Sequence, residues 1–194
     1  MENSGDVRKS VMESLPEAKQ IKNEGLRSKV YDAWTLALAN NGYSRIEEIP
    51  FSAVPGLLEG TGGDRTQVDH LRGVARLAVA MTGELANSFE ELVVDLDEVI
   101  AGSLCHDLGK PFEYSPVNRE RWRRDPGAAG DPSIRHPVYG VHVALVVGLP
   151  EAIAHICGAH SAEGENVQRS LVAQIVHHAD EAFWRILEKA GIVA

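Results

Sequence analysis

The sequence is poor in cysteine and in positive charge, and it contains no long apolar run. Its two cysteines, Cys105 and Cys157, sit in apolar surroundings without metal-type spacing. They read as small buried residues in a reducing cytoplasm. Lys and Arg number 19 against 28 Asp and Glu, a net charge of −9, which disfavours a broad surface for long nucleic acid and leaves a local basic pocket as the alternative. No stretch approaches the roughly 20 apolar residues of a membrane span. The opening MENSGDVRKSVMES lacks the apolar segment of a signal peptide. The expectation is a cytoplasmic protein without a membrane partner. Period-two alternation is also missing over any useful length, and there is no internal repeat or low-complexity segment, which leaves an all-α domain.

What is present is helical spacing. SKVYDAWTLALANNG (28–42) has a serine suited to a cap, apolar residues at Val30, Trp34, Ala37 and Leu38, and a stop at Asn-Asn-Gly. Residues 66–86 place Val68, Leu71, Val74, Ala78 and Leu85 at helical spacing. Residues 88–108 come next, with Ser88 and Glu91 matching a capping box. Residues 136–148, 150–160 and 165–191 continue the pattern, the second opening on Pro-Glu and the third ending at Gly191. Residues 49–66 and 111–135 are broken by proline and glycine, and the second of these reads as a loop or lid insertion. Residues 1–27 read as an N-terminal helical arm or flexible leader, and 28–194 as one domain.

The histidines carry the chemical signal. There are eight, none before residue 70, and several stand at helix ends. His106-Asp107 terminates an apolar helix, His136 begins the next after the insertion, and His160 ends the one after that. Asp180 lies on the long last helix between Ala179 and Ala182, where an unpaired carboxylate is costly. Each has a plainer alternative: a helix cap for the doublet, an ion pair with Arg185 or Lys189 for Asp180. Helices that each bring one imidazole or carboxylate to a common point are, however, a way to build a metal site in an all-α protein.

The pattern His70…His106-Asp107…Asp180, with DHLRGVARLA, AGSLCHDLGK and IVHHADEAFW around it, resembles the HD superfamily of metal-dependent phosphohydrolases. RHPVYGVHVAL and ICGAHSAEGENVQRS add His136 and His160 in the order of its binuclear members, and the resemblance spans about 66–186. It implies a helical bundle with the metal centre between converging helices. It also implies that His70, His106, Asp107 and Asp180 hold one metal, and that Asp107 bridges to a second on His136 and His160. Four histidines with two carboxylates suit Fe, Mn, Co, Ni or Zn better than Mg. His177, three positions before Asp180, would stand behind the ligands.

Lys110, after a glycine that turns the chain, is placed to reach back toward the centre and, with Asp107, to take part in catalysis. Arg135, Arg124 and Trp122 in the arginine-rich insertion are candidates to bind substrate. The expected activity is hydrolysis of a nucleotide or other small phosphate ester by metal-activated water. A diiron oxygenase resembling myo-inositol oxygenase uses the same ligand set, and a metal-binding regulatory module without turnover is the third alternative. The absence of Gly-Tyr-Pro after His160 counts against cyclic-di-nucleotide hydrolysis. A homo-oligomer is compatible with the acidic helical composition.

Overall fold

The computed structural model describes residues 4–51 and 64–193. The fold is all-α. The helices are α1 (Ser4–Ser14), α2 (Glu24–Ala39), α3 (Gln67–Ser88), α4 (Leu96–Cys105), α5 (Lys110–Tyr114), α6 (Pro116–Arg124), α7 (Pro126–Ala129), α8 (His136–Val146), α9 (Glu151–Ala159) and α10 (Leu171–Lys189). The β-pairing found among the described residues is an isolated bridge, Pro50 to Thr66, which brings the chain back to the start of α3. Most of the segment read as loop at 49–66 lies outside the described residues. No helix among them is long and apolar enough to cross a membrane.

α4 is the axis of the bundle. Its last seven residues, Val99 to Cys105, are all buried, so it is enclosed on every side rather than amphipathic. Helices α2, α3, α9 and α10 surround it. Trp34 on α2 donates its indole N–H to the Leu104 carbonyl at 2.7 Å, deep in the core. A helix buried all round delivers the residues after its last turn to the middle of the molecule. Here those residues are His106 and Asp107.

Several boundaries differ from those expected, and for local reasons. α2 begins four residues before Ser28, because the Asn23 side chain accepts from the Leu26 N–H at 3.0 Å and caps it. Ser28 is then internal and bonds Arg8. The Ser88–Glu91 box goes unused: α3 runs on through Ser88, and Asp95 caps α4, with Asp97 and Glu98 in the first turn favouring the helix dipole. α10 starts at Leu171 under a Ser170 cap.

Residues 111–135 are not an open loop. Pro111, Pro116 and Pro126 fall in the first turns of α5, α6 and α7, where the missing N–H costs nothing. The N-terminal segment is helical from Ser4 to Ser14 and packs on α2. Val7, Val11, Leu15, Ala18 and Ile21 are part of the main core. Arg8 pairs with Asp32 at 2.8 Å, and Arg72 of α3 donates to both oxygens of buried Glu17 at 2.9 and 3.0 Å.

Candidate metal centre

The doublet after α4, the first turn of α3, the start of α8, the end of α9 and the middle of α10 meet at one point. His70, His106, Asp107, His136 and His160 are all at least 96 % buried. Asp107 lies at the centre. Its Oδ2 stands 3.3 Å from His70 Nε2 and 3.5 Å from His106 Nε2. Its Oδ1 stands 3.4 Å from His136 Nε2 and 3.6 Å from His160 Nε2. Each oxygen therefore faces its own pair of imidazoles. Asp180 joins the first pair, with Oδ1 3.3 Å from His70 Nε2.

The tautomers of three histidines are set by their outer partners. His106 Nδ1 donates to the Ser103 carbonyl at 2.6 Å, His160 Nδ1 to the Cys157 carbonyl at 2.9 Å, and His136 Nδ1 to Glu113 Oε2 at 2.7 Å. With the proton held there, a neutral ring turns the Nε2 lone pair inward. His70 is fixed differently. Its ring stacks on Trp184 at 4.8 Å and meets the edge of Phe183 at 5.1 Å. His70 Nδ1 and Asp180 Oδ1 are buried and find no hydrogen-bond partner among the described residues.

Imidazole lone pairs and carboxylate oxygens thus converge without enough protons to pair them; His70 Nε2 and His106 Nε2 are 3.1 Å apart. Such a donor set fits a divalent cation. His70, His106 and Asp180 present atoms within 4.8 Å of one another, as do His106, Asp107 and His160. Electrostatics agree. Burial pulls His106 and His136 down to about 4, so both rings are neutral at pH 7 and free to ligate. Burial raises the Asp107 carboxyl, but Lys110, His106 and its hydrogen bonds outweigh that and hold it well below the carboxylate range. His160 moves upward: burial lowers it, but the neighbouring Asp107 oxygen dominates, so a proton and a cation compete for its Nε2.

Around this point lies a cavity of about 410 Å³. Lys110 lines it, buried, with Nζ 3.9 Å from Asp107 Oδ1. The glycine before it does not make a sharp turn. Gly109 is in ordinary right-handed helical geometry (φ −85°), and a Cβ there would lie 2.0 Å from the His136 carbonyl oxygen. It is glycine so that the start of α8 can press against the turn.

Arg135 lines the cavity, paired with Glu163 at 2.9 Å. His177 lines it too, with Nδ1 donating to the His160 carbonyl at 2.6 Å. Trp122 and Arg124 are elsewhere. Trp122 is 1 % exposed and packs near Phe112, because the insertion folds into helices that need an anchor. Arg124 points outward and pairs with Glu120. Neither is placed to touch a substrate in the cavity.

Sequence reasoning does not single out Gln67, Glu113, Phe51 or Trp184. Gln67 donates to Asp107 Oδ2 at 2.6 Å; its position one helical turn before His70 is the available signal. The cysteines are buried as expected. Cys157 Sγ donates to the Cys105 carbonyl at 3.1 Å, and burial raises both thiols.

The model of the HD domain family matches residues 68–182, more than half of the 194. The chain belongs to the HD domain family. It is also 28 % identical over 187 residues to the dihydroneopterin 2′,3′-cyclic phosphate phosphodiesterase of Methanocaldococcus jannaschii, an alignment covering 89 % of this chain and 68 % of the relative. No solved structure gives a significant match. HD domains bind divalent metals, and with this relative the family supports a phosphohydrolase.

Proposed function

We propose that this HD domain hydrolyses a small phosphodiester carrying a flat heterocycle, using two divalent transition-metal ions. The observation that carries this is the division of the Asp107 carboxylate between two imidazole pairs at the floor of a cavity lined by Lys110. Under this reading His70, His106, Asp180 and Asp107 Oδ2 hold one ion, and Asp107 Oδ1, His136 and His160 hold the other. The imidazole-rich set favours Fe, Mn, Co, Ni or Zn over Mg. When bound, two such ions supply positive charge that polarises a phosphoryl oxygen and acidifies water.

The remaining residues orient the ester. Lys110 is buried beside Asp107, where its side chain is set to hold a phosphoryl oxygen and offset charge that builds as the P–O bond breaks. Arg135, more exposed, would meet the phosphate from the mouth after exchanging Glu163. Trp184 and Phe51 form an apolar wall suited to a planar ring system. A volume of about 410 Å³ is at the small end for ligand sites and suits one nucleoside- or pterin-sized molecule. The cyclic phosphodiester cleaved by the archaeal relative is of that class.

The test is a screen of 2′,3′-cyclic phosphates, linear phosphodiesters and phosphomonoesters with Mn, Fe(II), Co, Ni, Zn and Mg. The expected result is ring opening of a cyclic diester to a monoester, supported by a transition metal and independent of oxygen. Metal-loaded, folded protein that cleaves none of them, or that consumes oxygen with a polyol, refutes the reading.

A further inference from the structure

The outer partners of the four central histidines are unequal. Two Nδ1 groups, on His106 and His160, donate to neutral backbone carbonyls, and His70 is held by aromatic rings. Among the described residues, only His136 of the four donates to a carboxylate, Glu113 Oε2 at 2.7 Å. The same oxygen accepts the His136 backbone N–H at 2.5 Å. That N–H belongs to the first residue of α8, where helix donors have no internal partner. Glu113 sits on α5, which follows Gly109, and its side chain is only 12 % exposed. A carboxylate behind an imidazole fixes the tautomer, stops ring rotation and makes the facing nitrogen a stronger donor.

We propose that Glu113 is a positioning residue that sets retention of the ion on the His136–His160 side of the centre. This rests on the two-ion reading above. A helix cap alone would need only an acceptor oxygen; retention of an ion also needs the negative charge. Glu113→Gln separates the two, since its amide oxygen can still accept from the backbone.

The experiment titrates protein stripped of metal with Mn or Co against a competing chelator, counting equivalents and affinities for wild type and Glu113→Gln, with far-UV circular dichroism as the check on folding. The expected result is two equivalents in wild type. In Glu113→Gln the first should be unchanged and the second weakened about 10- to 100-fold, the usual effect of losing such a partner. A folded variant that binds both equivalents within about threefold of wild type, or weakens both alike, overturns the role of Glu113. A wild-type protein that takes up no second equivalent overturns the two-ion centre itself. Should the variant not fold, nitrogen-15 histidine spectra of wild type decide. A strongly downfield, slowly exchanging His136 Nδ1 proton supports the carboxylate bond, and an unprotonated Nδ1 refutes it.

Discussion

Gly109→Ala places the strongest demand on this account. The added Cβ would lie 2.0 Å from the His136 carbonyl oxygen and 2.7 Å from its carbonyl carbon and Cα, all backbone atoms that no rotamer change can move. Real Cβ contacts essentially never fall below 3.0 Å, so the first turn of α8 must retreat from α5 by about 1 Å. Overpacking of this kind costs about 1–3 kcal/mol, and at about 2–4 °C per kcal/mol for a chain of this size Tm falls by about 2–12 °C. The same retreat carries His136 Nε2 away from its present 3.4 Å from Asp107 Oδ1, so the variant should also lose the ion on that side. Thermal melting paired with metal analysis measures both. Gly83→Ala is the control. It lies on α3 with nothing within 4 Å of an added Cβ, and a helix-interior Gly-to-Ala change should raise stability by about 1 kcal/mol. A Gly109→Ala protein that melts within about 1 °C of wild type and keeps its full metal content refutes the reasoning.

The same geometry sets other outcomes. Asp107→Ala should lose metal on both sides and all turnover, whereas Lys110→Ala should keep its metal and lose turnover at least tenfold; metal analysis beside an ester assay separates them. Metal-free protein should lose stability as pH falls from 6.5 to 4. His106 and His136 are held near 4 against an ordinary 6.5, so the unfolded chain takes up protons first, at a cost on the order of 3 kcal/mol each. Glu113, pushed to about 2 because bonding to His136 outweighs its burial, extends the loss below 4.5. His160, raised, acts above that window: its contribution grows as pH falls toward 6.5 and is constant below it, so it leaves the loss between 6.5 and 4 in place. A Tm flat across that range contradicts the burial of neutral rings. Deleting residues 1–21 should leave the domain insoluble or unfolded, since five core side chains go with it; a cooperative melt in the truncated chain would show the segment to be dispensable.

Much of the fold is legible in the sequence where one helix face carries the signal. The periodicity of α3, α9 and α10 and the positions of His70, His160 and Asp180 are read from it. Helix starts are less legible because neighbouring polar residues compete: Asn23 takes the cap expected of Ser28, and Asp95 the one expected of Ser88. Prolines that read as loop breakers prove to be first-turn residues of α5 to α7, so Trp122 becomes a packing anchor rather than a substrate contact. The attachment of the N-terminal arm is hidden because Val7 and Val11 are too few to mark a buried face until α2 lies beside them. Glu113 and Gly109 depend on His136, more than twenty positions away, and no local pattern records such a contact.

The two thiols offer a use of their own. Cys105 directly precedes His106, and Cys157 lies one turn before His160, both at the seam of α4 and α9 and both with burial suppressing the thiolate. An alkylating reagent reacts only with an exposed thiolate. Labelling rates under native conditions therefore act as a stopwatch on that seam: they record how often the walls behind two of the imidazoles part, residue by residue and without any engineered probe.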